Sequence, residues 1–246
     1  MVEDKTPARR ALLGAFAAAV AVPALGGCGT ATKKKDAKHQ SAAAAKAVAA
    51  ADTAPAAAPA AGSVIMIIRH AEKPTGSGAP YGVTDQGVKD SESLTIRGWT
   101  RAGALVSLFA PRTAGGAAAP VPAGLTRPTK VYAADPNKGG SKRPAETASA
   151  VAAALGLTLD EQYAKGQEAE LATALLATAG PQLVAWEHES IAAIIAKLGS
   201  ITPTPPASWP DARFDVVWVL TANGGGWNFS QVPQLLLAGD SPDPIS

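Results

Sequence analysis

The feature that most constrains this chain is the stretch V-I-M-I-I-R-H-A-E-K-P at residues 64–74. Its first five residues are apolar without interruption and mostly β-branched. That pattern predicts a strand buried on both faces, as in a sheet covered by helices on either side. The run ends abruptly in Arg69, His70, Glu72 and Lys73. In open α/β sheets ligands bind in the crevice beyond the carboxyl ends of the strands. A neutral imidazole beside a guanidinium at that edge suits an anion. Taken alone, the pair is a weak signal that a capped strand end with a surface ion pair explains more simply.

The 246-residue chain divides by composition. Residues 1–27 have the layout of an export signal: Arg9-Arg10, an apolar run from Ala11 to Leu25, then small residues before Cys28. The run is shorter than the roughly 20 residues that span a bilayer, and Pro23 breaks it. Leu25-Gly26-Gly27-Cys28 resembles the lipobox of bacterial lipoproteins, which implies lipidation at Cys28 and a location on the outer face of the cytoplasmic membrane. The paired arginines resemble in part a twin-arginine signal, and ordinary Sec export stays open. Residues 28–62 are rich in Ala, Pro and Lys with almost no bulky apolar side chain, so they read as a solvated tether that holds His39. The globular part is then 63–246. Cys28 is the single cysteine, which excludes an intrachain disulfide and a thiolate-rich zinc site. A net charge of +2 and 5% aromatic residues give no basis for nucleic acid as a partner.

Within 63–246, strand and helix signals alternate. Thr95 is placed to cap a helix running to Ala110, where Pro111 stops it. Residues 75–83 are rich in Gly, Ser and Pro and predict a mobile loop over the first strand's end. Lys130 to Ala134 reads as a second strand ending at Asp135-Pro136. Ser141-Lys142-Arg143-Pro144 opens a helix that reaches Leu155 and is ended by Gly156, which puts Arg143 where free amides and the helix dipole already favour an anion. A helix over Glu168 to Ala177 follows, then a strand over Gln182 to Trp186. Glu187-His188-Glu189 joins that strand to a helix over Ile191 to Leu198. Phe214 to Leu220 is a fourth strand, Asn223 to Gly226 a turn, and the tail around Val232-Pro233 an edge strand followed by a surface wrap. Trp186, Trp218 and Trp227 read as core or site-wall residues.

Five stretches in this order carry a resemblance: I-I-R-H-A-E-K-P at 67–74, L-T-I-R-G-W-T-R-A at 94–102, V-Y-A-A-D-P at 131–136, S-K-R-P-A-E-T at 141–147 and V-A-W-E-H-E-S-I at 184–191. Together they resemble the histidine phosphatase superfamily, the phosphoglycerate-mutase-like group, and within it the bacterial members with an R-H-A-E-K-P stretch. The resemblance implies a three-layer α/β/α sandwich with a mostly parallel sheet. It implies a metal-independent and cofactor-independent phosphomonoester hydrolase in which His70 becomes a phosphohistidine. Arg69, Arg143 and His188 would hold the phosphoryl oxygens, with Lys73 at the rim. The substrate would be a small phosphomonoester or a phosphorylated envelope component. For the proton donor, Glu189 is preferred slightly over Glu168, with Glu161 and Glu187 as alternatives; an acidic leaving group would need none. A phosphomutase and a non-catalytic lipoprotein that captures a phosphorylated ligand are the competing readings.

Overall fold

The computed structural model describes residues 57–138 and 141–246. The expected export signal, Cys28, His39 and most of the tether lie outside the described residues. No described helix is long and apolar enough to cross a membrane.

Seven strands form one sheet in the order β3-β2-β4-β1-β6-β7-β5. They are β1 (Val64–Arg69), β2 (Lys130–Ala133), β3 (Leu159–Asp160), β4 (Pro181–Trp186), β5 (Ile201–Thr202), β6 (Val216–Ala222) and β7 (Trp227–Pro233). The V-I-M-I-I run is thus the middle strand. It pairs in parallel with β4 and antiparallel with β6. Since β2 and β3 continue the parallel side, and β7 is antiparallel to β6 and parallel to β5, β6 alone runs against the other described strands.

Helices cover both faces, so the expected three-layer α/β/α architecture with a mostly parallel sheet is the observed one. The period-2 geometry of β1 divides its side chains between two cores. Ile65 and Ile67 pack with Leu171, Leu175, Ile191 and Ile194 from α4 (Glu168–Ala177) and α5 (His188–Ile195). Met66 and Ile68 pack with Leu105, Phe109, Ala148 and Val151, from the segment of α1 (Ile96–Ala104) and α2 (Val106–Phe109) and from α3 (Arg143–Leu155). A strand apolar at every position is what such a double burial requires.

Local signals mark three of the helix ends. Thr95 caps α1 by accepting a hydrogen bond from the Gly98 amide. Pro144 sits in the first turn of α3, and Gly156 ends that helix at φ 70°, a left-handed conformation that suits glycine. Several expectations need correction. The 96–110 helix is broken at Leu105 into α1 and α2. The last helix starts at His188 instead of Ile191 and ends at Ile195, so the histidine belongs to its first turn. The fourth long strand lies two residues later than expected, at Val216–Ala222. The tail strand starts earlier than expected, at Trp227; β5 covers only its first two residues, Trp227 and Asn228, so the part around Val232-Pro233 is an edge as expected. The two-residue strands β3 and β5 carry no sequence signal of their own.

Candidate active site

Because β1 and β4 run in parallel, their carboxyl ends deliver His70 and His188 to the same edge, and the His70 amide donates to the Trp186 carbonyl at 2.9 Å. The reversed direction of β6 brings its entry segment, residues 209–215, to that edge as well. A cavity of about 470 Å3 opens there, lined by His70, Lys73, Glu92, Ser141, Arg143, Lys165, Glu187, His188 and Glu189.

His70 is 2% exposed. Its Nδ1 lies 2.7 Å from the Ala71 carbonyl oxygen, which can only accept, so Nδ1 carries the proton and Nε2 keeps its lone pair. Burial, reinforced by Arg69, Arg143 and His188, lowers the His70 pKa to about 3, against the pull of the Ala71 carbonyl. The ring is therefore neutral near pH 7, with one nitrogen available as a nucleophile.

Arg143 is fixed to this strand end through Thr147. The Thr147 hydroxyl donates to the Arg143 carbonyl at 2.7 Å and accepts from the Ala71 amide at 2.8 Å. On its outer side the Arg143 guanidinium donates to the carbonyls of Ser91 and Ser93 and pairs with Glu92 at 3.7 Å. Residues 91–93 thus hold the arginine at the mouth of the cavity, and Leu94 anchors that segment by donating its amide to Glu146 at 2.8 Å.

Arg69 differs from expectation. It is 1% exposed and does not line the cavity. Its Nη1 donates to the carbonyls of Pro210, Asp211 and Arg213, and its guanidinium stacks on Phe214 at 3.9 Å. Nη2 lies 3.2 Å from His188 Nδ1. A guanidinium has no acceptor, so His188 Nδ1 accepts and the neutral ring carries its proton on Nε2. Burial lowers the Arg69 pKa to about 10, which leaves it charged at neutral pH. Arg69 is joined to the cavity wall through His188, while its own guanidinium is turned toward residues 210–214. Burial and then the charges of Arg69 and Lys73 lower the His188 pKa as well. The two imidazoles meet edge to face, with ring centroids 6.1 Å apart.

The carboxylates separate clearly. Glu168 accepts from the Trp186 indole and the Gly166 amide, and Glu161 lines a different depression with Lys130 and Asp160; neither reaches His70's cavity. Glu187 accepts the Ser141 amide on one oxygen and pairs with Lys165 at 2.7 Å through the other. Glu189 pairs with the same Lys165 at 3.0 Å, which holds its carboxyl below the usual range. The Lys165 pair favours the ionised form of Glu189, the form that has no proton to donate.

A similar solved structure exists. It comes from Agrobacterium tumefaciens and is described as the "putative phosphohistidine phosphatase SixA"; it shares 13% identity, 68% of this chain and 94% of that chain are covered, and the TM-score is 0.38. No family model and no curated protein matches the chain. The functional reading accordingly rests on the site's own residues. Sequence reasoning missed Lys165 and Asp211, which lie in loops without a recognisable pattern, and assigned Phe214 to a strand that it in fact precedes. Among the described residues no group of three or more His, Cys, Asp or Glu is gathered as metal ligands would be.

Proposed function

We propose that this protein is a phosphomonoester hydrolase that works through a phosphohistidine on His70. The observation that carries the reading is the tautomer of His70: Nδ1–H is tied to the Ala71 carbonyl, so the remaining lone pair is Nε2, in a wall shared with Arg143, Lys73 and His188. In the first step Nε2 attacks phosphorus and the P–O bond breaks, its electron pair leaving with the alkoxide. Arg143 and Lys73 balance the charge of the phosphoryl oxygens, and His188 donates Nε2–H to one of them. In the second step water attacks phosphorus, the P–N bond breaks, phosphate leaves, and the water proton ends on the alcohol. Because Glu187 and Glu189 are both occupied by Lys165, the leaving oxygen departs with little proton transfer from the protein. Substrates with acidic leaving groups, such as aryl phosphates, are then the better ones.

The test is hydrolysis of an aryl phosphate by the full chain, with and without a chelator, beside His70→Ala. We expect chelator-resistant turnover that falls by about 10³-fold or more in the variant, together with acid-labile phosphate trapped on the wild type only. Turnover that survives in His70→Ala, or that the chelator abolishes, would overturn the reading. Retained phosphate binding without any turnover would instead favour a binding lipoprotein.

The reading extends to location. Arg9-Arg10, the apolar run 11–25 and Leu25-Gly26-Gly27-Cys28 support export and acylation at Cys28, with residues 28–62 as tether to the outer face of the cytoplasmic membrane. The mass of the mature N-terminus checks this: a diacylated or triacylated Cys28 is expected, and an intact Met1 would exclude it.

A further inference from the structure

If His188 is to give a proton-bearing nitrogen to a phosphoryl oxygen, that nitrogen must be available. It is not free. With Nδ1 committed to accepting from Arg69, the neutral ring has one N–H, and it is directed at the Asp211 carboxylate, whose Oδ1 lies 2.5 Å from Nε2. Asp211 stands outside the cavity wall and its side chain is 82% exposed, yet its backbone is immobilised, since its carbonyl accepts from Arg69 at 2.6 Å. The flanking carbonyls of Pro210 and Arg213 bind the same guanidinium, and Trp209 donates its indole N–H to Arg213. Phe214 packs against both the Arg69 guanidinium and the His70 ring. The segment therefore holds its main chain still while leaving one solvated carboxylate able to rotate away.

We propose, building on the phosphatase reading, that Asp211 is an internal anion that occupies the His188 donor in the empty site and is displaced by the incoming phosphoryl group. One anion is exchanged for another on the same N–H. The carboxylate keeps the ring oriented between turnovers, as the one acceptor recorded on Nε2–H among the described residues. It also weakens the grip on the product, inorganic phosphate, because phosphate must compete with it. Asp211 is by this account a positioning residue that sets anion affinity. It is not a catalytic one.

Loss of an internal anion acts in a direction that damage to the segment cannot imitate. Disturbing the segment should weaken phosphate binding, whereas removing a competitor should strengthen it. The test is calorimetric titration of the full chain with inorganic phosphate, for wild type, Asp211→Asn and Asp211→Ala. Product inhibition of aryl phosphate hydrolysis provides a second readout. The expected result is phosphate binding tighter by about three- to ten-fold in both variants, the range for exchanging one partly exposed charged contact. A matching fall in the inhibition constant and an unchanged thermal midpoint are expected with it. Wild-type turnover with unchanged or weaker phosphate binding in the variants overturns the internal-anion role and leaves the phosphatase reading standing. A chain that neither turns over aryl phosphate nor binds phosphate in any of the three forms overturns both. Binding that appears only in the variants supports the internal anion even if wild-type turnover is absent.

Discussion

Two clusters of buried charge lie within a few residues of each other at the end of β1, and they are built on opposite principles. In the first, Arg101 is 2% exposed and donates through Nε and Nη2 to Glu72 and through Nη1 and Nη2 to Asp240, with Gln234 as a further acceptor. Asp240 in turn accepts the Leu236 and Leu237 amides, and its pKa falls to about 2 through Arg101 and those amides, against its burial. Every named donor here meets an acceptor inside the protein. In the second, His70 keeps an unpaired Nε2 at the cavity, and the His188 N–H meets only a solvated carboxylate. A closed cluster ties the tail to the strand end; an open one leaves bonding capacity for something that is not part of the chain.

The largest effect expected from breaking this contrast is on the closed side. Arg101→Met leaves Glu72 and Asp240 with half-exposed Arg97 as their recorded ion-pair partner, at 3.1 and 4.0 Å, beside the Leu236 and Leu237 amides that Asp240 accepts. Removing one partner of a buried ion pair costs about 3–5 kcal/mol, and the remaining Arg97 places this case near about 3 kcal/mol. Urea unfolding at neutral pH measures it. A loss below about 1 kcal/mol would mean that the tail is held by its other contacts, such as Ser241 and Gln234 on Asp215.

The open side should show the reverse, a stability cost for function. His70 is held neutral down to about 3 while an unfolded histidine titrates near its ordinary 6.5. Between those values the unfolded chain binds more protons than the folded one, so stability falls as the pH drops through that window. His70→Gln removes this dependence. At pH 4 the variant should exceed wild type in stability by about 1–3 kcal/mol relative to their difference at pH 8, read from denaturant midpoints at both values. Asp240 has the same sign in a lower window, its contribution being lost as the pH falls below the ordinary carboxylate value toward about 2. Parallel stability curves for wild type and His70→Gln from pH 8 to 4 would show that the ring is not buried neutral.

How much of this was legible depended on whether a residue's environment is local. The V-I-M-I-I run announces a central strand because burial on both faces demands apolar residues at each position, and Pro144 and Gly156 mark their helix because capping is a matter of one turn. The alternation Trp227-Asn228-Phe229-Ser230 also signals β7, yet it follows a glycine-rich turn and is easily absorbed into it. Bringing His70, Arg143 and His188 together was readable from the strand-end rule. The direction of Arg69 was not: by strand alternation it lies on the face of Ile65 and Ile67, toward α5 and residues 209–215, and the sequence does not say on which side the cavity opens. Lys165 and Asp211 act through loops whose paths are set by tertiary packing, so no spacing rule points to them.

The smallest expected effect sharpens the contrast most, since it decides to which kind of cluster the rim belongs. Lys165 draws Glu187 and Glu189 into one ion-paired group at 2.7 and 3.0 Å. Glu189 is 62% exposed, its partner keeps it ionised, and Lys165 retains Glu187 if Glu189 is lost. The rim is then closed like the Arg101 cluster, and Glu189→Gln should change kcat/KM for an aryl phosphate by less than about three-fold, whereas loss of a true general acid costs about 10²–10⁴-fold. A substrate series with leaving groups of rising basicity separates the cases. If Glu189 donates no proton, the variant and wild type fall in parallel along the series; a variant that falls increasingly behind on the most basic leaving groups would return Glu189 to the role of acid, with Lys165 releasing it only when substrate is bound.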